Sequence, residues 1–422
     1  MMATEGPFLA AIIARLPDPT VNLAAYGVAF ALAILIEAPV IMLMSASTSL
    51  VRDRVTYLKL RNFARFLGVA TTGLLLAVLI PSVYRWLTGT VLGLPPEVAD
   101  LTYGALWFFL PWPAAIAYRR FLQGVLIRAG KTRLVAWGTL IRLFGMVIAA
   151  LAGFFVLDLP GAWVGGLALG TGVTVEAIAA RFMAASSVRD LLEGKGDLEA
   201  RGRNVTYRDI AQFYFPLALT SFIGLSIQPL LTFFMGRSIA PLESLAVFPV
   251  VHALSFFFRS MGLALQDTAI ALMGERFTHL PELKKFALGL GLATSTGLAL
   301  VAFTPLSRLW FETVSGLTSE LASFALTPTQ VIVPLPFLAV LLSLQRAILV
   351  EGRKTHYITV ASALEVGCVA VLFILLGFRL DLVGATAAFG AFMGARLVSV
   401  SYLLVRCRSV LRDTPASTPR GA

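Results

Sequence analysis

The chain has 422 residues, 58% of them hydrophobic and only 14% charged, with a mean hydropathy of +0.84. A soluble protein of this length cannot cover such a composition with polar surface, so the pattern argues for a polytopic helical membrane protein and against a soluble enzyme. The formal net charge of +11 sits in alternate loops, as topology demands of Lys and Arg. Those groups are therefore not a spare surface for nucleic-acid phosphates.

No strand-like alternation of lumen and lipid positions is present, which rejects a β-barrel. Of the two cysteines, Cys368 lies in an apolar run and Cys407 in the basic tail. They make neither a disulfide framework nor zinc spacing. The start, MMATEGPFLAA, has no basic n-region, so no cleaved signal is expected.

In chain order, Pro7 to Leu16 is apolar but too short to cross a bilayer. Leu23 to Val51 is long enough, and it carries a carboxylate, Glu37, near its middle; Pro39 then removes a backbone donor. A charge at bilayer depth costs about 2.5–3.5 kcal/mol on insertion scales, so Glu37 needs a partner, water or a function. The basic stretch VRDRVTYLKLRNFAR is expected in the cytoplasm.

Spans follow near 66–86, 103–126, 134–157 and 161–188. Arg119, Arg120, Arg128, Lys131 and Arg133 are assigned to the inner end of the span near 103–126. Arg142 lies inside the next, and Glu176 with Arg181 in the one after, beside a small-residue face of Gly161, Gly165, Gly166 and Gly170. Residues 189–209 mix both charges with glycine and read as a cytoplasmic linker. Six more spans are expected near 210–236, 241–273, 286–311, 326–349, 357–378 and 383–405, then a disordered basic tail, 406–422.

The halves repeat one pattern. A shift of 222 brings Pro7 onto Pro229, Arg15 onto Arg237, Pro19 onto Pro241 and Leu23-Ala24 onto Leu245-Ala246. After one gap the shift is 223, and Gly68 meets Gly291, Pro111 and Pro113 meet Pro334 and Pro336, Lys131-Thr132 meets Lys354-Thr355, Asp158 meets Asp381 and Gly161-Ala162 meets Gly384-Ala385. The expected fold is all-α and integral to the membrane, with two pseudo-symmetric six-helix lobes over 1–188 and 210–405, related by an axis along the membrane normal. Residues 208–222 have no counterpart in the first half, so the first helix is truncated and the native start is expected upstream of Met1.

The intramembrane charges are repeat mates of opposite sign: Glu37 falls on Arg259, and Arg142 on Glu365. Four unpaired charges would cost on the order of 10 kcal/mol, comparable to the stability of a fold, so they are expected to neutralise one another. Within lobes that means Glu37 with Arg142 and Arg259 with Glu365; across lobes it means Glu37 with Arg259 and Arg142 with Glu365. Static pairs that fix helix register and pairs that change with the state of a transporter are the two readings of this arrangement. Glu176 has Arg142 or Arg181 as candidate partners, or carries a coupling proton.

Several stretches resemble a known family: Ala25-Tyr26-Gly27-Val28-Ala29, Arg52-Asp53-Arg54, Pro229 with Arg237, Phe248-Pro249-Val250-Val251-His252, and Pro334-Leu335-Pro336 ahead of Lys354-Thr355. The two-lobe pattern looks like the multidrug and toxin extrusion (MATE) architecture and the wider MOP superfamily that includes lipid-linked oligosaccharide flippases; these stretches resemble the progressive ankylosis protein family within it. The resemblance implies a secondary transporter with a central cavity, and, for the closer family, export of pyrophosphate, nucleotide or small organic anions such as citrate. It implies further that Glu5 stands at a family carboxylate position and His252 at a family histidine. The truncated first helix departs from the family pattern.

His252 is the only histidine inside a span, either a proton relay or a core residue bonded to backbone. Gln266 and Asp267 either line the cavity or snorkel toward water. The string GVLIRAGKT, Gly124 to Thr132, imitates a phosphate-binding loop but has one residue too many and follows a helix. The three histidines, His252, His279 and His356, are too scattered for a metal-dependent enzyme.

The leading function is thus alternating-access export of a small solute, with H+ or Na+ as possible coupling ion and no other cofactor. Alternatives are a multidrug cation antiporter, a lipid-linked oligosaccharide flippase, a channel or an intramembrane enzyme. The four central charges cancel and leave the sign of the substrate open; the preference for anions comes from the resemblance. The expected setting is the inner membrane, the chain a monomer with its C-terminus in the cytoplasm.

Overall fold

The computed structural model describes residues 4–194, 205–273, 277–352 and 354–413, without the side chains of Asp267, Ala271 and Asp413. The described residues are almost wholly helical. The helices of the first half are α1 Glu5–Ile13, α2 Pro19–Glu37, α3 Leu43–Leu50, α4 Arg54–Val78, α5 Pro81–Arg85, α6 Pro96–Phe108, α7 Trp112–Arg128, α8 Thr132–Phe155, α9 Gly161–Met183 and α10 Ala185–Leu192. Then come α11 Tyr207–Leu225, α12 Ile227–Met235, α13 Pro241–Leu272, α14 Leu280–Phe303, α15 Leu306–Arg308, α16 Ser319–Val331, α17 Leu335–Glu351, α18 His356–Phe373 and α19 Gly384–Asp413. Among the described residues, eight helical segments are long and apolar enough to cross a membrane, or ten if each of two bent pairs counts as one span.

The duplication is visible in the backbone. With the shift of 223, α6 maps onto α16 and α7 onto α17 residue for residue at both ends, and the π-helical turn Trp86–Leu92 onto Leu309–Val314. Gly93 and Gly316, repeat mates, both take positive φ, 65° and 73°. Asp158 and Asp381 do likewise at 47° and 52°.

Asp18 and Ala240, mates by 222, sit at φ 49° and 51°, each just before the proline that opens α2 or α13. Proline excludes the right-handed helical region from the residue before it, which leaves the turn few alternatives. Asn22 braces the first of these turns by donating to the Pro17 carbonyl at 2.9 Å. Its Oδ1 accepts the Ala162 N–H at 2.9 Å, and Ser244 Oγ accepts the Ala385 N–H at 3.0 Å. Both bonds satisfy an orphan donor at the start of a helix, in equivalent places.

The chain forms two compact units. Unit 1 comprises 1–5 and 12–233; unit 2 comprises 6–11 and 234–422. The polar stretch 189–209 is expected to part the lobes, but the units divide later, between Phe233 and Phe234. The reason is local packing: the Tyr214 ring meets Phe63 edge-on at 5.2 Å and its hydroxyl donates to the Pro39 carbonyl, which binds α11 to unit 1. Of the expected linker, residues 195–204 lie outside the described residues.

The tail also differs from expectation. Helix α19 continues to Asp413, because Cys407 is buried and the Arg406 guanidinium lies over Tyr357 and Tyr402 at 5.0 and 5.2 Å. Residues 414–422 lie outside the described residues.

Unit 1 pairs α8 with α9, and unit 2 pairs the mates α18 and α19. Phe66, Phe144, Phe155, Phe182, Phe303 and Val371 stand largely exposed, while arginine and glutamate lie inside. This reversal of the soluble pattern is what a hydrocarbon solvent selects. Arg52-Asp53-Arg54 proves to be a helix start: Asp53 Oδ1 accepts the Thr56 N–H at 2.8 Å, and Thr56 Oγ1 accepts the Asp53 N–H at 3.1 Å. Gly124 to Thr132 is the α7–α8 turn, where Gly130 takes φ 70° and Lys131 Nζ donates to Ser186 Oγ at 2.8 Å.

Candidate functional site

The polar interior of unit 1 depends on a break in the chain. The segment expected as one span over 103–126 is interrupted at Phe109–Pro111, and α7 starts afresh at Trp112. Trp112, Ile116, Arg119 and Gln123 then fall on one helical face, all buried. Arg119, expected at the inner end of its span, lies two turns into the helix with 1% of its surface exposed.

Arg119 Nη1 donates to Glu176 Oε2 at 2.6 Å, and Gln123 Nε2 donates to Glu176 Oε1 at 3.1 Å. Both oxygens of Glu176 are thus satisfied. Its partner is Arg119, not Arg142 or Arg181. Gly138 makes room for the carboxylate; a Cβ there would lie 3.5 Å from Glu176 Oε1.

Arg142 pairs with Glu5 through Nη2 and Oε2 instead of with Glu37. Glu37, the last residue of α2, accepts the indole N–H of Trp112 on Oε2. Arg120 Nη1 reaches the Met44 sulfur at 3.8 Å, a weak acceptor. Unit 1 therefore encloses three carboxylates, Glu5, Glu37 and Glu176, together with Arg119, Arg120 and Arg142.

Unit 2 is built differently. Glu365 pairs with Arg396 at 2.8 Å, not with Arg259. Arg259 is 8% exposed and lies over the rings of Phe256 and Phe392 at 5.8 and 5.3 Å; Arg396 shares the Phe392 ring, also at 5.3 Å. Arg259 Nη2 comes within 3.5 Å of His252 Nε2, and the His252 ring stacks between Phe248 and Phe256 at 5.8 and 6.4 Å. Arg346 is within electrostatic reach of Arg396 and Glu365.

Among the described residues, one buried carboxylate thus faces three guanidiniums, and no carboxylate lies within ion-pair distance of Arg259. Gln266 is partly exposed on α13, and the Asp267 side chain lies outside the described residues.

Sequence reasoning missed Trp112, Arg119, Arg120, Gln123, Arg346 and Arg396. The spacing Trp112, Arg119, Gln123 was a legible signal once α7 was started after Pro111. No comparable pattern marked Arg396. A cavity of about 740 Å³ on unit 1 is lined by residues such as Trp137, Phe144, Ile148 and Val175; none of its lining residues is charged. Among the described residues no group of three metal-ligating side chains comes together.

No family model and no curated protein matches the sequence. Solved structures do match. The inward-facing form of a multidrug resistance MATE family transporter of the MOP superfamily aligns over 97% of this chain and 96% of its own, with TM-score 0.74 and 15% identity. The lipid II flippase MurJ, in an inward closed conformation, aligns over 96% of this chain and 85% of its own, with TM-score 0.72 and 16% identity. A MOP superfamily transporter from Pyrococcus furiosus, described as having a binding pocket of reverse polarity, aligns over 98% and 96% with TM-score 0.60 and 12% identity. The chain has the MATE-like, multi-pass membrane fold. At these identities the likeness is one of fold.

Proposed function

We propose that the chain is a MOP-superfamily secondary transporter that exports a small anion by alternating access. The fold supports transport as the class of activity, and the arginine cluster of unit 2 supports the sign of the substrate. Arg259, Arg346 and Arg396 share one carboxylate, Glu365, in apolar surroundings. An excess of buried cations is costly unless a counter-charge enters, and an anionic solute supplies it. Phe392, flanked by two of the guanidiniums, adds an aromatic face. Pyrophosphate-like or carboxylate substrates fit this donor set, since arginine grips both in bidentate fashion.

The progressive ankylosis-like motifs favour the same substrates. The reading carries with it a bilayer as the working environment, the inner membrane with a cytoplasmic C-terminus, no enzymatic chemistry, a monomer, and H+ or Na+ as the driving ion. A second reading, flipping of a lipid-linked precursor, is favoured by the nearly equal likeness to MurJ.

Proteoliposomes loaded with citrate, pyrophosphate or a lipophilic cation, with and without a proton or sodium gradient, separate these readings. Saturable flux of an anion that Arg259→Gln abolishes is the expected result. Flux of the cation alone, or anion flux that never saturates, overturns it.

A further inference from the structure

We propose that unit 2 holds a resident monovalent anion of halide size at Arg346 and Ser399, in the place that the Glu176 carboxylate fills in unit 1. The binding itself does not depend on the transporter reading above; its effect on flux rests on that reading.

The repeat register locates the site. In unit 1 the Glu176 carboxylate of α9 accepts from Arg119 and Gln123 of α7. With the shift of 223 these three positions become Ser399, Leu342 and Arg346. The carboxylate is lost, and the guanidinium moves from the first α7 position to the second. Helix α17 copies α7 residue for residue at both ends. It meets α19 at this level, where Gln345 Nε2 donates to the Val400 carbonyl at 3.0 Å. The register thus sets Arg346 opposite Ser399, as Gln123 stands opposite Glu176.

The polar atoms at this level are short of partners. Ser399 has no exposed surface, and its Oγ makes no hydrogen bond among the described residues. A helical Ser or Thr can return its hydroxyl to the carbonyl one turn back, as Thr71, Thr174 and Ser362 do. Ser399 does not. Arg346 Nε and Arg396 Nε are also buried without an acceptor.

Arg396 stands one turn before Ser399 on α19, within electrostatic reach of Arg346, and its Nη2 is committed to Glu365 at 2.8 Å. Two N–H groups and one O–H are therefore orphaned donors in one neighbourhood. Such groups are costly to bury unless an acceptor arrives, and beside an unmatched guanidinium an anion is the favoured one. Gln345 Oε1 is orphaned as well. Its amide is fixed on Val400, so that oxygen faces outward from its bond as an acceptor, and a buried water suits it.

The surroundings limit the ligand to a compact one. Leu342 and Ala361, both buried, replace Arg119 and Gly138. A Cβ at Gly138 would lie 3.5 Å from Glu176 Oε1, so the Ala361 methyl stands against the equivalent spot. Arg259, Arg346 and Arg396 carry three charges against the one carboxylate of Glu365. A single negative charge on Arg346 leaves one positive charge, at Arg259, for the solute to meet.

Chloride is the probe. Thermal unfolding of the full chain in detergent is followed as chloride replaces gluconate at constant ionic strength. A saturable rise of several degrees is expected. Ser399→Glu tethers a carboxylate at the site, as unit 1 does. That variant is expected to be as stable in gluconate as the native chain is in chloride, and to show no chloride response. Arg346→Gln is expected to lose the response too. A native chain indifferent to chloride, a rise that never saturates, or a response that persists in Ser399→Glu overturns the proposal.

Should the variants not fold, crystals of the native chain grown in bromide decide instead. An anomalous peak between α17 and α19 at Ser399 supports the site, and its absence there refutes it. In proteoliposomes, flux of citrate or pyrophosphate through the native chain is expected to fall several-fold when gluconate replaces chloride. Flux through Ser399→Glu is expected to ignore the exchange. Chloride that competes with the solute would place both anions at one site and overturn the resident ion. If chloride binds as described and no solute moves, the transporter reading fails and the anion site stands. If solute moves and chloride leaves no mark on stability or flux, only the anion site fails.

Discussion

The Arg119–Glu176 pair offers the most direct test of how the interior of unit 1 is held together. Arg119→Met removes a guanidinium at 2.6 Å and leaves Glu176, with no exposed surface, to Gln123 alone. Breaking a buried pair by removing one partner costs about 3–5 kcal/mol, a large part of a total stability of about 5–15 kcal/mol. Glu176→Leu strands Arg119, 1% exposed, at a similar cost. Arg119→Met with Glu176→Leu removes both charges and leaves an apolar site of similar volume. Only the Gln123 amide then lacks its acceptor, a loss of about 1–3 kcal/mol. The double variant is therefore expected above either single one, with a coupling of about 3 kcal/mol or more. Unfolding in mixed micelles of rising SDS fraction, followed by circular dichroism, measures the cycle. Single variants within about 1 kcal/mol of the native chain, or a double variant no more stable than its parents, would show that the pair does not carry this weight.

Gly170→Ala places a Cβ 2.3 Å from the Phe108 carbonyl oxygen, whereas Gly73→Ala meets nothing within 4 Å. The first is expected to lose about 1–3 kcal/mol by overpacking and the second to gain up to about 1 kcal/mol, both read by the same micelle titration. Ser244→Ala removes the acceptor of the Ala385 N–H and is expected to cost about 1–3 kcal/mol. Asn22→Ala at the equivalent place also loses the bond to the Pro17 carbonyl and is expected to cost more; a silent Ser244→Ala would refute the reading of these bonds as duplicated supports. Arg396→Gln strands Glu365, while Arg259→Gln strands no carboxylate among the described residues. Arg259→Gln is therefore expected to abolish anion flux at a smaller loss of stability, and the opposite ranking in micelles would contradict the placement of these arginines.

The repeat was legible because Pro, Gly and Asp mark turns that the backbone must make. Gly93 and Gly316 take positive φ as their residue type allows, and Pro19 and Pro241 open equivalent helices. That Ala240 would share the left-handed geometry of Asp18 was not legible, since alanine itself does not ask for it.

The charged residues were legible as a set, and their partners were not. Ion pairing depends on rotation about each helix and on where each helix begins. Counting Arg119 and Arg120 as inner-end anchors assumed one helix through Pro111–Pro113; the restart at Trp112 moves Arg119 to mid-helix and turns it inward. Glu5 was visible as a carboxylate just ahead of a short apolar segment, yet nothing in its neighbours named Arg142.

Sign reversal between repeat mates suggests a charge exchange, and the two environments argue against its success. Glu37→Arg would place a guanidinium among Arg119, Arg120 and Arg142, with only the donor Trp112 at hand. An uncompensated buried charge of this kind costs about 3–5 kcal/mol. Arg259→Glu would put a carboxylate near Arg396 and His252, where it finds a counter-charge. The neighbours changed with the charges: the mates of Trp112, Arg119, Gln123 and Glu176 are Leu335, Leu342, Arg346 and Ser399. Each interior suits its own sign through several positions at once. The double exchange of Glu37→Arg with Arg259→Glu is therefore expected to be no more stable or active than Glu37→Arg alone. Recovery of folding or flux in the double variant would mean that the two side chains partner each other during the cycle, and the separate accounts of the two interiors would then be wrong.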